Sequence, residues 1–290
     1  MRLVAAAACV LLAACAARSP APPAPAQSTA VQPTAAMEAN RRGEASLRRG
    51  ELDSAALHYR EALRLSLAVE DANGIAANAV NLSIVYQRQG KYGEARASLV
   101  PLLEGATLSH APERRAQAAL RRAVLDLDQR RHASASEWAE RAAAWCGEPC
   151  ALTAAIRNVK GQLALEAGRL DEAAAAARSA LAASRAAGEA AEIANAQRLL
   201  GMTALAAGNG AAALDALREA LAIDRELGIP RRISLDLIGL GRGSALRGER
   251  EAARGYYARA RVVSEADRDA AGAAEARALI DALGSAAGSR

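Results

Sequence analysis

The sequence predicts an all-α protein, an α-solenoid in which about six helical hairpins stack and a C-terminal helix caps the stack. Composition is the first observation that predicts this fold, because 52% of the 290 residues are hydrophobic while only 2% are aromatic and none is Phe. Alanine is the best helix former, whereas aromatic and β-branched residues favour strands. The other two observations are a glycine that recurs at an almost constant interval and tiny side chains that recur in phase with it.

The net charge of the chain, +5 at pH 7, comes almost wholly from arginine, because Lys91 and Lys160 are the only lysines. Acidic residues are interspersed with the basic ones along the predicted helices. This pattern is typical of a solvated surface, since a face that binds nucleic acid clusters its positive charge. We therefore expect no nucleic acid among the partners.

Residues 1–14 have the pattern of an export signal. Arg2 precedes a run of small and apolar residues, Leu3–Ala14, that is too short to span a bilayer as a permanent helix. The run leads into LAAC, which resembles the lipobox of bacterial lipoproteins, and this resemblance implies that Cys15 is lipidated and becomes the N-terminus. The alternative is an ordinary secretory signal with incidental cysteines, because Cys9 lies in the same run.

Residues 15–36 combine the lipidated Cys15 with a proline- and alanine-rich run that lacks the apolar side chains needed for a core. Such a composition predicts a disordered tether. Ala16 and Ala17 follow the cysteine, where an aspartate would resemble an inner-membrane retention signal. We therefore expect a protein held at the outer membrane by its lipid anchor alone, with its folded part facing the periplasm.

A turn residue followed by an alanine five positions later recurs along residues 37–263. The intervals are 40, 40, 38, 40 and 40 residues when Arg130 is counted in the place of the third glycine. The residue seven positions before each turn residue is tiny. The glycines are Gly50, Gly90, Gly168, Gly208 and Gly248, the alanines are Ala55, Ala95, Ala135, Ala173, Ala213 and Ala253, and the tiny residues are Gly43, Ser83, Ala123, Gly161, Gly201 and Gly241.

Each repeat is predicted to be a helical hairpin. Glycine adopts the left-handed conformation that ends a helix and lets the chain reverse. Tiny side chains on both sides of the turn let the two helices cross closely, and bulkier residues nine positions after the turn are expected to fill the space between hairpins. A lone hairpin leaves one apolar face uncovered, so the hairpins must stack. We expect six units over residues 37–263, then a capping helix and a frayed tail over residues 264–290.

This pattern resembles the tetratricopeptide repeat (TPR) family, and the best copy is at residues 76–104. The residues that match the family pattern are Leu82, Ser83, Tyr86, Gly90, Tyr92, Ala95 and Leu99. The resemblance implies a right-handed superhelix whose concave wall binds a protein or peptide. The period near 40 residues exceeds the usual 34. Either the helices are about a turn longer than usual, or the connections, such as Val69–Ile75, are longer.

Three repeats depart from the pattern. Arg130 replaces the turn glycine of unit three, which makes that unit the weakest match. Pro101 lies inside the predicted second helix of unit two, where it should kink or end the helix. In unit six, Gly239 and Gly243 flank the tiny residue of the crossing, and we expect their low helix propensity to cause local fraying.

The concave wall is projected from the first helix of each hairpin, at ten, six and three residues before the turn. The candidates for partner binding among these positions are Asn40, Gln87, Asn158, Gln162, Arg198, Met202 and Arg242. The alternative role for each is packing against the next unit. The set does not match the paired Lys/Asn/Arg clamp by which some relatives hold a terminal carboxylate, so no such ligand is implied.

Cys146 and Cys150 are a candidate disulfide, because an exported chain meets an oxidising compartment. A redox-active or metal-binding pair is the alternative, although the spacing is not C-x-x-C. His58, His110 and His132 have no partner three or four residues away that suggests a metal site or a catalytic pair. We therefore expect no catalytic residue, no metal, no cofactor and no small-molecule substrate.

The function that the sequence predicts is a non-catalytic scaffold for protein–protein interaction. A lipid-anchored periplasmic TPR lipoprotein would help to assemble or hold a cell-envelope complex, as pilotin-like and outer-membrane assembly-like proteins of this family do. The alternative is a sensory or regulatory module that binds a peptide or protein partner in signalling, because units near 40 residues also resemble those of bacterial signalling proteins. Both interpretations place the partner on the concave wall.

Overall fold

The computed structural model of the protein describes residues 34–104 and 111–285. Within these ranges all regular structure is α-helical, which confirms the predicted fold class. The predicted signal, residues 1–14, and Cys15 lie outside the described residues. The helices are α1 (Ala35–Arg48), α2 (Leu52–Ala68), α3 (Ala72–Arg88), α4 (Tyr92–Ala97), α5 (Val100–Leu103), α6 (Pro112–Asp128), α7 (His132–Cys146), α8 (Thr153–Glu166), α9 (Leu170–Ala187), α10 (Ala190–Ala206), α11 (Gly210–Glu226), α12 (Pro230–Leu246), α13 (Arg250–Ala266) and α14 (Ala270–Ser285).

The helices pair into hairpins in the predicted order. α1 packs on α2, α3 on α4, α6 on α7, α8 on α9, α10 on α11 and α12 on α13, and α14 covers α13 at the end. The first helices of successive hairpins also contact one another, from α1 and α3 through to α12 and α14. They therefore form one continuous wall, and the described residues make an α-solenoid with a capping helix.

Two of the predicted boundaries shift by two or three residues. α1 begins at Ala35 because Thr34 caps it, its Oγ1 accepting a hydrogen bond from the Met37 N–H at 3.3 Å. Ala36, which the sequence placed in the tether, is buried. At the other end α13 continues to Ala266, so the predicted start of the cap, at residue 264, falls inside the last turn of that helix.

The 40-residue period arises from long helices. The helices from α10 to α13 have 17 residues each, and only three residues separate one from the next. The alternative of a longer connection at Val69–Ile75 is wrong, because α2 ends at Ala68 and α3 begins at Ala72.

The turn inside each hairpin holds one residue in the left-handed conformation, and Arg130 adopts it in the place of a glycine. Its φ is +55°, compared with +73° for Gly90. The Arg131 N–H then donates to the Asp126 carbonyl at 2.8 Å, and the same bond to the carbonyl five residues back closes the turn at Gly90. Unit three therefore keeps the hairpin geometry without the glycine.

A second set of left-handed residues, not predicted from the sequence, lies in the turns that link one hairpin to the next. These residues are Glu70, Gly188, Gly228 and Arg268, with φ of 51°, 70°, 64° and 58°. The two sets of turns lie at opposite ends of the helices. We call the side of the solenoid that carries the turns inside the hairpins the hairpin-turn edge, and the side that carries the turns between hairpins the linking-turn edge.

The tiny residues before the turns lie where the paired helices cross, as predicted. A Cβ added at Gly241 would come 2.3 Å from the Tyr257 ring, and one at Gly43 would come 2.8 Å from the Tyr59 ring. Both tyrosines stand nine residues after the turn. The expectation that this position fills the space between hairpins is therefore wrong for them, because each tyrosine packs inside its own hairpin.

Proline and glycine act differently in the two helices where the sequence predicted irregularity. The second helix of unit two ends at Ala97 and resumes at Val100, one residue before Pro101, which confirms the predicted break. α12 instead runs without interruption through Gly239 and Gly243, and both glycines are buried. This burial against Leu217 and Leu214 opposes the fraying that their helix propensity alone predicts.

Candidate functional site

The first helices enclose a groove of about 680 Å³ on the inner wall of the solenoid. Residues of α3, α6, α8, α10 and α12 line it, and Glu275 of α14 contributes from the cap. The predicted residues in its lining are Gln87, Asn158, Gln162, Arg198, Met202 and Arg242. Asn40 does not line the groove, because its Nδ2 donates to Asn78 Oδ1 at 2.7 Å and ties α1 to α3.

Apolar side chains form the floor of the groove. α6 supplies Leu120, Val124 and Leu127, which lie one helical turn apart on one face of the helix. Leu199 and Ile238 continue the floor on α10 and α12. A concave surface with an apolar floor and a few polar groups above it is the usual form of a binding site for a small molecule or a peptide.

Arg198 lies in the groove wall, but its guanidinium is committed to two buried carboxylates. It is bonded to Asp224, and its Nε donates to Asp236 Oδ1 at 2.7 Å. Both aspartates are fully buried, and Arg232 approaches Asp224 at 3.8 Å. Burial raises the pKa of Asp236 to about 6, against the opposing charge of Arg198, and the neighbouring Asp224 adds to the rise.

This cluster changes the interpretation of Arg198. The side chain of Arg198 is only 15% exposed, and removing it would leave two carboxylates without their main partner inside the protein. Its evident role is to join α10, α11 and α12, so that a substitution of Arg198 would test the fold before it tested the binding of a partner.

A second polar network lies at the α3–α6 end of the groove. Arg121 donates from Nε to Ser83 Oγ at 2.9 Å, and burial lowers the pKa of its guanidinium to about 10. Gln87 accepts a hydrogen bond from Arg121 and donates Nε2 to Asp128 Oδ2 at 2.9 Å. The Tyr92 hydroxyl also donates to Asp128, at 2.5 Å. Gln87 therefore holds a buried cation and an anion in fixed positions.

Three of the predicted residues line the groove and make few contacts that hold neighbouring helices together. Among the residues that the structure describes, Gln162 bonds only to Glu166 of its own helix, at 3.0 Å. Met202 makes up part of the lining, and Arg242 pairs with Glu275 at 2.9 Å, with both side chains more than two-fifths exposed. We regard Gln162, Met202 and Arg242 as the part of the lining that is available to a ligand.

Asn158 is buried and differs from these three. Its Nδ2 donates to Glu192 Oε2 at 2.8 Å, which links α8 to α10. Its Oδ1 has no hydrogen-bond partner among the described residues. An acceptor left in this way at the groove wall costs free energy until a donor reaches it.

Cys146 and Cys150 are joined by a disulfide bond, with their Cα atoms 5.4 Å apart. The bond ties the end of α7 to the segment that precedes α8. In residues 34–104 and 111–285, no group of three or more His, Cys, Asp or Glu side chains could hold a metal ion. The helices in the same ranges include none with the length and apolar character needed to cross a membrane.

Comparison with known proteins places this geometry in a known fold. No family model and no curated protein matches the chain. Solved structures do: a signal transduction ATPase from Pyrococcus horikoshii with a tetratricopeptide repeat sensor matches at a TM-score of 0.58 and 16% identity, over 84% of this chain and 37% of that one. The protein has the tetratricopeptide repeat fold.

Two further TPR-type neighbours cover most of their own lengths. A Rap protein complexed with competence and sporulation factor matches at a TM-score of 0.60 and 14% identity, over 86% of this chain and 70% of that one. PilW, a type IV pilus biogenesis factor, matches at a TM-score of 0.53 and 18% identity, over 79% of this chain and 94% of that one. At these identities the likeness shows the TPR fold of this chain.

Some positions of the groove lie one helical turn beyond those that were predicted from the sequence. The lining includes residues thirteen positions before the turn in four hairpins: Gln117, Ala155, Asn195 and Leu235. This spacing continues the three, six and ten that were used, at 3.6 residues per turn. Asp224 and Asp236 gave no such signal, because acidic residues on a helix are usually exposed.

Proposed function

We propose that this protein is a non-catalytic binding module that holds a segment of a protein partner, or a peptide, in the groove of its inner wall. The observation that carries the proposal is the continuous lining from α3 to α14, with an apolar floor and with Gln162, Met202 and Arg242 accessible above it. The TPR neighbours support it, since one of them is complexed with a sporulation factor. Peptides that bind grooves use such a combination of apolar pockets and polar groups.

The polar groups of the groove support a binding role over a catalytic one. Asp128 accepts from Gln87 and Tyr92, and the buried aspartates beside Arg198 bond to that arginine. Each of these carboxylates holds neighbouring helices together. A nucleophile with an adjacent base and an orienting group, which covalent catalysis requires, is not formed by these side chains in the described part of the groove.

We further propose that the protein works in the cell envelope, attached to the outer membrane by a lipid on Cys15 and facing the periplasm. The lipobox-like residues before Cys15 support this location, and the fold shared with PilW, a type IV pilus biogenesis factor, is consistent with an assembly role. In this role the groove holds one component of an envelope complex. The second candidate is a regulatory module, which the sensor and the Rap protein favour as neighbours.

Site-specific photo-cross-linking in intact cells tests the binding proposal. A photoreactive residue in place of Met202, inside the groove, should capture an envelope protein, and the same residue in place of Arg178, exposed on the outer helix α9, should not. Capture of a secretin or barrel component favours the scaffold, whereas a soluble or inner-membrane partner favours regulation. Equal capture from both positions would contradict binding in the groove.

Metabolic labelling with a radioactive fatty acid tests the anchor separately. The wild-type chain and the Cys9→Ser variant should incorporate label, and Cys15→Ser should lose it. Label that survives in Cys15→Ser would exclude lipidation at that residue, and it would leave the groove proposal untouched.

A further inference from the structure

The two ends of the solenoid meet through side chains that are far apart in sequence. Arg88, at the end of α3, donates from Nη2 to both carboxylate oxygens of Asp267, at 3.2 and 3.1 Å. Asp267 follows α13 and precedes the capping helix. Both side chains are largely buried, with 24% and 15% of their surface exposed, so the contact is packed on its sides as well as bonded.

Neighbouring turns add to this meeting. The position of a Cβ at Gly50, in the first hairpin turn, is 4.0 Å from Cδ of Arg268. The turns of the first two hairpins therefore lie close to the turn that precedes α14.

The contacts join opposite edges of the solenoid. Arg88 and Gly50 belong to the hairpin-turn edge, while Arg268 is the left-handed residue of a linking turn. Opposite edges of a helical ribbon meet only after the ribbon has completed about one turn of its superhelix. The solenoid therefore closes around its own groove, and the walls of that groove come from both ends of the chain, from Gln87 beside Arg88 to Glu275 beyond Asp267.

The closing contact differs from the interfaces between hairpins, because it is polar. The hydrophobic clusters of the described residues run within successive hairpins, and none of them joins the first two hairpins to α13 or α14. The ion pair keeps part of its surface in contact with solvent, so salt screens it in part. The two ends can therefore separate without exposing a hydrophobic core.

We propose that Arg88 and Asp267 form a latch that closes the solenoid around the groove, and that the latch opens to admit a short polypeptide segment of low net charge. The part of this inference that concerns the bound segment rests on the proposed function. The groove lining carries four arginines and four carboxylates, so its charge is balanced. A helix about 10 Å across that rises about 1.5 Å per residue fills roughly 120 Å³ per residue, so 680 Å³ holds a segment of about six residues.

Small-angle scattering of the free protein tests the latch without any partner. Arg88→Glu places two carboxylates face to face, and we expect a radius of gyration larger by about a tenth than that of the compact wild type. The charge-reversed double variant Arg88→Asp/Asp267→Arg should restore the wild-type value. Arg64→Glu is the matched control, because it breaks an exposed ion pair with Glu61 inside α2 and should change nothing.

The outcomes separate the latch from the proposed function. An unchanged radius in Arg88→Glu, or a double variant as expanded as the single one, would overturn the latch. Cross-linking from Met202 should then be faster in the Arg88→Glu background than in the wild type, and equal rates would overturn the role of the latch in admission. If Met202 captures nothing in either background, the proposed function fails while the scattering result still decides the latch.

Discussion

Hairpins α12–α13 and α8–α9 fill the space beside their crossing glycines in different ways. In α12–α13, the Tyr257 ring of the same hairpin covers Gly241, and a Cβ there would lie 2.3 Å from it. In α8–α9 the residue at the equivalent position is Ala177, and the space beside Gly161 is filled by Leu199 of the following hairpin, 2.5 Å from the position of a Cβ. The crossing glycine of α12–α13 is therefore covered by its own hairpin, whereas that of α8–α9 is covered by the following hairpin.

The composition of the buried faces shows the same contrast. The buried residues of α9 are alanines and one serine, which are Ala173, Ala177, Ala180 and Ser184. The two larger hydrophobic clusters lie on either side of α9, one ending at Leu163 and the other beginning at Ala213. In a stacked array, stability is a sum of unit and interface terms. We infer that hairpin α8–α9 owes more of its stability to the interfaces with its neighbours than hairpin α12–α13 does.

Gly241→Ala should give the largest loss. The added methyl group meets a rigid aromatic ring, and overpacking of this kind costs about 1–3 kcal/mol of unfolding free energy. Chemical denaturation monitored by circular dichroism measures it. Gly255→Ala is the control, because no described atom lies within 4 Å of that Cβ position and the better helix propensity should stabilise by up to about 1 kcal/mol. Equal effects of the two changes would contradict the packing at Gly241.

The buried aspartates give the C-terminal hairpins a pH dependence that α8–α9 lacks, because Thr153–Ala187 contains no buried carboxylate. The folded state raises the pKa of Asp236 from 3.8 to about 6, so it binds the proton more tightly than the unfolded chain does. This contribution is present at low pH and is lost as the pH rises from about 4 to about 6, by on the order of 2 kcal/mol.

Denaturation midpoints across this pH range check the sign. Asp236→Asn should flatten the decline in stability between pH 4 and 6, since an amide does not titrate there. The control is Asp215→Asn, which removes a carboxylate that is 80% exposed and should leave the slope as in the wild type. A slope that persists in Asp236→Asn would assign the dependence to another group.

Gly161→Ala should cost less than Gly241→Ala, at most about 1 kcal/mol. The added methyl group would meet Cδ2 of Leu199, which is the far end of a flexible side chain and can move aside. The gain in helix propensity offsets part of the remaining strain. A double-mutant cycle with Leu199→Ala measures the coupling between the two sites, which we expect to be at least about 0.5 kcal/mol. Strict additivity would show that the two hairpins do not share this contact.

Arg130→Gly should produce the smallest change, a stabilisation of up to about 1 kcal/mol. The residue holds a φ of +55°, which strains a side chain and suits glycine. The reverse change, Gly208→Arg, should destabilise by a similar amount, because Gly208 has a φ of +74°. Thermal unfolding of the two variants measures both effects. A loss of stability in Arg130→Gly would show that the contacts of the arginine side chain stabilise the fold by more than the strained backbone costs.

Local rules were enough to predict the hairpins. Left-handed turns, close crossings and the face of a helix follow from spacings of fewer than about twenty residues. The placing of Gln87, Gln162, Met202 and Arg242 in the lining also needed the resemblance to the TPR family, which implied that the first helix of each hairpin forms the concave wall. Pro101 ended its helix for an equally local reason. The left-handed turns at Glu70 and Arg268 were not predicted, because neither residue is a glycine.

Features that depend on side chains from distant units could not be predicted. Arg198 was assigned to partner binding because the sequence does not show that Asp224 and Asp236 turn inward to meet it. The contact of Arg88 with Asp267 joins residues 179 positions apart, and its existence depends on the small rotation between units summed over the whole stack. No single repeat encodes that sum.

Amide hydrogen exchange at Gly239–Gly243 tests the central claim, that tiny residues serve to bring helices into close contact. Helix propensity alone predicts fast exchange there. The packing of Gly239 against Leu217 and of Gly241 against Tyr257 predicts slow exchange, slower than in Val159–Leu163 of α8. Protection of Gly239–Gly243 that exceeds that of α8 is the result we expect, and fast exchange across these glycines would contradict the account.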